Sequence, residues 1–322
     1  MTKTTRVEAP TWAALTLCYA AYVVLTAYAD VSVLAYLALA VVIAFFLSLQ
    51  HEIIHGHPTR WQWLNEALVF IPLGLAFPYE RYRDTHLAHH HDNRLTDPYD
   101  DPESWYVAPG DWQASPGWFR ILLTINNSAL GRMIIGPGMS FIRFSIADIR
   151  LMAQGKRQVI RAWLLHAVGA ALLLAGLSFT QVSPLGYVLS CYAALSLINL
   201  RSFLEHRAEE RVAGRSAIVE DAGPFALLYL NNNLHAVHHA HPDIPWYEIP
   251  AKYRAHKDRY LAMNGGYFFP SYWAVLARHG LRAKEPVAHP LMQSGAWAQA
   301  AERITAEKAT LQANGPAHER ST

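Results

Sequence analysis

The chain is short of cysteine and short of charge, and each shortage excludes a class of protein. Its two cysteines, Cys18 and Cys191, both sit inside apolar runs and form no CxxC pair. That rules out an iron–sulfur cluster, a rubredoxin-like site and a disulfide framework; it fits two small buried apolar side chains. Charged residues make up only 16% of the 322 positions, against about 25% in soluble domains, while hydrophobic residues make up 52%. So little charge points to a membrane. The net charge of +2 is too small to argue for nucleic acid. There is no GxGxxG loop for a dinucleotide and no fused haem-binding module.

Long uncharged runs are present. Residues 12–29 and 31–49 carry no charge and are broken only by Asp30. About 20 apolar residues span a bilayer, so this reads as a tight hairpin with Lys3, Arg6 and His51 on one side. No small-residue cleavage site follows the first run and a second span follows at once, so it is not read as a signal peptide. Residues 64–78 are apolar but broken by Pro72, Gly74 and Pro78, which predicts a re-entrant or interfacial segment. Residues 118–146 mix apolar positions with Arg120, Arg132 and Arg143, the pattern of helices lying along a membrane surface.

A second hairpin, 162–179 and 184–200, follows around a short polar turn at 180–183. Arg150, Lys156, Arg157 and Arg161 precede it, and Arg201, Arg207, Arg211 and Arg215 follow it, so the positive-inside rule places both flanks in the cytoplasm. The expected fold is an all-α integral membrane protein. Four transmembrane helices form two hairpins, with re-entrant or interfacial helices and a cytoplasmic helical cap over 201–285. Both termini and the site face the cytoplasm, in a bacterial inner membrane. Residues 1–286 form the functional domain, and 287–322 a polar tail.

Histidine is the residue in excess. Seventeen are present, and twelve fall within 51–57, 86–91, 206 and 235–241. On a helix, i, i+3 and i+4 share a face. His51 and His55 (HxxxH) can therefore grip one metal. So can His86, His89 and His90 (HxxHH), and His235, His238 and His239 (HxxHH). His206 adds a further imidazole just past the fourth span. Neutral imidazole suits iron, copper, zinc and nickel. A single zinc takes four ligands, so about nine imply two ions. His166, His256, His279, His289 and His318 stand alone and read as satisfied interfacial residues.

HxxxH, HxxHH and HxxHH, in that order around membrane hairpins, resemble the membrane fatty acid desaturase superfamily, which includes alkane hydroxylases and carotenoid ketolases. The resemblance covers residues 12–275. It implies a non-haem di-iron centre held by His51, His55, His86, His89, His90, His206, His235, His238 and His239, with O2 as co-substrate. His57, His91 and His241 are surplus to the pattern. Glu52, Asp84, Asp92 and Glu205 are candidates to support the ligands, as is one of Asn231, Asn232 and Asn233, because ligating imidazoles usually hand their other N–H to an acceptor. An apolar chain from the bilayer is the implied substrate, either desaturated or hydroxylated. Electrons would come from a separate ferredoxin, rubredoxin or cytochrome, an acidic one suiting the basic cytoplasmic surface. Two other readings stay open. His51-Glu52-Ile53-Ile54-His55 is also HExxH, the zinc-peptidase signature, but that reading leaves both HxxHH motifs unexplained. A metal transporter would place its ligands inside the spans rather than after them.

Overall fold

The structure, a computed structural model, describes residues 8–28, 32–91 and 94–294. The turn at Asp30, Asp92 and the tail from 295 onward lie outside the described residues. The two uncharged runs form helices α1 (Ala9–Ala27) and α2 (Val33–Ile54), which pack side by side. Ser32 starts α2 by accepting a hydrogen bond from the Ala35 N–H at 3.2 Å. Gly56, at φ 91°, ends it one residue past the His55 cap, where a left-handed conformation turns the chain away. That stop leaves the HxxxH pair on the last turn of a span.

A short helix α3 (Gln62–Leu68) leads into an irregular apolar stretch, 69–78, and then α4 (Tyr79–His91). Helices α5 (Pro109–Ala114), α6 (Gly117–Asn126), α7 (Ala129–Ile134) and α8 (Gly136–Ala153) follow. Helix α6 leaves Ile121 and Ile125 exposed, and α8 leaves Ile142, Ile146 and Ile149 exposed. These are single apolar stripes at helical spacing, as helices lying on a membrane surface would show.

The second apolar pair is α9 (Arg157–Leu177) and α10 (Pro184–Glu205). All four long helices are apolar enough to cross a membrane. The second pair does not close as a simple hairpin: α10 packs chiefly on α2 and α7, while α9 packs on α4 and α8. Stretch 69–78 accounts for this, because it contacts both helices. A side chain at Gly169 of α9 would strike the Phe70 carbonyl, while the Tyr187 hydroxyl of α10 donates to the Leu73 carbonyl at 2.8 Å. Non-helical backbone packed between apolar helices must have its polar groups satisfied. Tyr19 donates to the Leu68 carbonyl, His166 pairs with that of Leu75, and Cys191 contacts that of Leu73.

Beyond α10, α11 (Pro224–Leu228), α12 (His235–Ala240), α13 (Ile249–Ala255), α14 (Lys257–Met263) and α15 (Tyr272–His279) build the cap. Two short parallel strands, β1 (Ile218–Val219) and β2 (Phe268–Phe269), tie it together. The packed chain runs past residue 286: Val107 bridges Ala288, and His289 is fully buried. Phe46, Leu49 and Ile53 of α2 and Leu200 and Leu204 of α10 bury almost completely beneath the cap. Truncating one of them to alanine would cost about 2–5 kcal/mol and loosen the floor on which the histidines stand.

Candidate metal centre

Nine imidazoles from four segments converge where α2 and α10 end. They fall into two groups, each with its ligand atoms within 4.8 Å of one another. One holds His51, His55, His86, His90 and His238; the other holds His89, His206, His235 and His239. Helix α4 divides its imidazoles between them, and the ring of His90 stacks on that of His239 at 4.2 Å, so the two groups share a wall. Eight of the nine side chains come from helical i, i+3 or i+4 spacings on α4 and α12 or from the last turn of α2 with its cap. His206 is held differently, in extended backbone at the end of α10, bridged to Ser216.

Nitrogen separations show what the groups are shaped for. The Nε2 atoms stand 3.2 Å apart for His55 and His86, 3.1 Å for His86 and His90, and 3.1 Å for His90 and His238. In the second group they stand 2.9 Å apart for His89 and His206 and 3.0 Å for His206 and His235. Two nitrogens bound at about 2.1 Å to one ion at right angles lie about 3.0 Å apart. The Nδ1 atoms are engaged on the far side. His86 Nδ1 meets Glu103 Oε1 at 2.8 Å, His89 Nδ1 meets Asp101 Oδ1 at 2.8 Å, and His235 Nδ1 meets Asn232 Oδ1 at 3.0 Å. An Nδ1–H donated to an oxygen leaves the Nε2 lone pair facing inward. Lone pairs converging with no proton between them fit a cation. The Nε2 of His239 is buried without a hydrogen-bond partner among the described residues, which fits the same conclusion.

Burial first, and then repulsion among the imidazoles, holds His55, His206, His235, His238 and His239 well below the usual 6.5, in the neutral, metal-binding form. His89 moves the other way: burial opposes the charge, but Glu103 and Asp101 outweigh it and push the ring up to about 9. A histidine whose folded value lies below its unfolded value takes up a proton on unfolding, so folding stability falls as pH drops through 6.5. Five such groups outweigh the single raised one. Iron-stripped protein in detergent is expected to melt several degrees lower at mildly acidic than at mildly alkaline pH. A flat profile would argue against this assignment.

The supporting residues only partly match those expected from sequence. Asp101 accepts from the Thr96 N–H at 2.8 Å as well as from His89, and buried Thr96 adopts φ 75°, a strained conformation for a β-branched residue. Asp101 and Glu103 were not among the residues expected, although the acidic run at 97–103 follows the second motif closely. Asp84 instead pairs with Arg83, and Asn231 donates to the Trp246 carbonyl. The neighbouring Asn232 is the one that reaches His235, with His51 at 3.4 Å. Glu205 bonds Arg201 at 2.8 Å and lies 3.6 Å from His235 Nδ1. Glu52 accepts from the Trp246 N–H and lies beside His57, which bonds Glu8, so its carboxylate belongs to a separate cluster. A zinc-peptidase base would have to face the metal. His241 lies outside both groups, and the side chain of His91 lies outside the described residues.

Four helices able to span a membrane, capped by two histidine groups, define a membrane protein with sites suited to metal. The family model described as fatty acid desaturase matches residues 31–271, and the chain belongs to that family. Membership makes it an oxidoreductase of a class that generally depends on two irons, on an electron donor and on lipid substrates. No curated protein matches the chain.

Proposed function

We propose that this chain is an O2-dependent desaturase, with one iron in each histidine group, that introduces a double bond into the apolar chain of a lipid. The observation that carries this reading is the division of nine inward-facing imidazoles into adjacent groups of five and four. Iron bound there would supply the oxidising power for an unactivated C–H bond, which amino-acid side chains lack. The protein's own part is to hold and shield. Asp101, Glu103 and Asn232 fix the tautomer and direction of His89, His86 and His235. Burial of His51, His86, His89, His235 and His238 keeps water from the centre. The site end faces the cytoplasm, where a separate ferredoxin, rubredoxin or cytochrome reaches it.

Hydroxylation or ketolation of an alkyl or isoprenoid chain is the second reading, since the outcome depends on where the substrate carbon is held. Metal analysis of the purified protein is expected to give two irons per chain; one zinc would overturn the assignment. Mass spectrometry of lipids from expressing cells is expected to show products lighter by two hydrogens. Products heavier by one oxygen would establish a hydroxylase.

A further inference from the structure

Beside the second histidine group lies a partly enclosed cavity of about 70 Å³, lined by residues that include His206, Glu103, Asp101, Arg132, Trp105 and Lys284. It is too small for a nucleotide or a phospholipid head group, yet large enough for several water-sized groups. Four carboxylates and two cations, Arg132 and Lys284, line it. The carboxylates are already engaged: Asp101 and Glu103 by His89 and His86, Glu205 by Arg201, and Glu285 by Lys284. Arg132 is not. It is only 4% exposed, and its Nε donates to the Asn126 carbonyl at 3.0 Å. Its guanidinium carbon lies over the Trp105 ring, 4.4 Å from its centre, and it forms no ion pair among the described residues. Buried charges are ordinarily paired. Burial, and then the like charge of Arg143 on the same indole, pushes Arg132 down to about 9, as happens to a cation that lacks a counter-ion.

We propose that Arg132 and this cavity bind the free carboxylate of a chain acid, so that the substrate is an unesterified acid rather than a bulky thioester or phospholipid. A planar guanidinium held by stacking presents two parallel N–H groups, the geometry that recognises a carboxylate. Lys284, whose ammonium donates to the His206 carbonyl and pairs with Glu285, lines the same cavity. The apolar walls, Phe203, Trp105 and Val287, take the first carbons of the chain. This deepens the lipid-oxidising reading above and rests on it for the chain.

The test is equilibrium binding by purified, iron-loaded, full-length protein in detergent, with no reductant present, so that turnover plays no part. The probes are dodecanoate, methyl dodecanoate and inorganic phosphate. Dodecanoate is expected to bind at least tenfold more tightly than its methyl ester, and phosphate only weakly. Arg132→Gln should lose that preference while Arg132→Lys keeps part of it, both retaining the iron content of the unaltered protein. Equal binding of acid and ester by the unaltered protein would overturn the proposal, whatever the variants do. So would phosphate binding as tightly as dodecanoate, which would mark a small-anion site. If the chain carries zinc and consumes no O2 yet still prefers the acid, the desaturase reading fails and the carboxylate site stands.

Discussion

Replacing His239 by alanine is expected to reduce the iron content from two per chain toward one and to abolish O2-dependent turnover. The second group has four imidazoles and therefore no ligand to spare. Four-ligand sites bind with about 10–16 kcal/mol in all, so one ligand carries roughly 3 kcal/mol, on the order of a hundredfold in affinity. Among the described residues no further imidazole stands in the second group to replace it. The helix itself should survive: alanine is the best helix former, and α12 remains anchored by buried Ala236 and Val237. Elemental analysis and an oxygen electrode measure the two effects. Two irons and normal turnover in the variant would remove His239 from the ligand set, and with it the division of the centre into five and four.

Asp101→Asn is expected to lower iron retention or turnover by about 10–100-fold, the usual effect of losing a ligand's outer acceptor. Asp101 receives three hydrogen bonds, from His89 Nδ1 at 2.8 Å, the Thr96 N–H at 2.8 Å and the Glu103 N–H at 2.9 Å. An amide has one acceptor oxygen where the carboxylate has two, so one of these donors would meet an NH2 group instead. The lost charge also removes part of what raises His89 to about 9. Asp84→Asn is the matched control. Among the described residues its carboxylate hydrogen-bonds Arg83, on the partly exposed side of α4, and the variant should leave iron and turnover unchanged. If both variants behave alike, the ligands are not oriented as the hydrogen bonds indicate.

Much of this protein could be read along the chain, because the relevant spacings are local. Uncharged stretches of span length become α1, α2, α9 and α10, since helical periodicity and bilayer thickness are properties of a segment. Eight of the nine imidazoles could be named because i, i+3 and i+4 share a helix face wherever the helix sits, and His206 from the resemblance. What surrounds them was harder to read. Asp101 and Glu103 lie in irregular chain after α4, where no periodicity says which way a carboxylate points. Asp84 lies two residues before His86 and still turns to Arg83, whereas Asn232 rather than Asn231 reaches His235, after Leu230 and Asn231 both take positive φ. The arrangement of the second helix pair was also hidden. Its separation depends on stretch 69–78 contacting both helices, a long-range event.

The sequence alone determined the four helices able to span a membrane and brought out the histidine motifs, each a matter of composition or of spacing within a turn or two. Only the tertiary structure decided how five imidazoles part from four, which carboxylates stand behind them, and that Arg132 is buried beside the centre with no counter-ion among the described residues. Those facts join residues tens to hundreds of positions apart. Their distances are set by how α2, α4, α10 and α12 pack, and no local spacing encodes that.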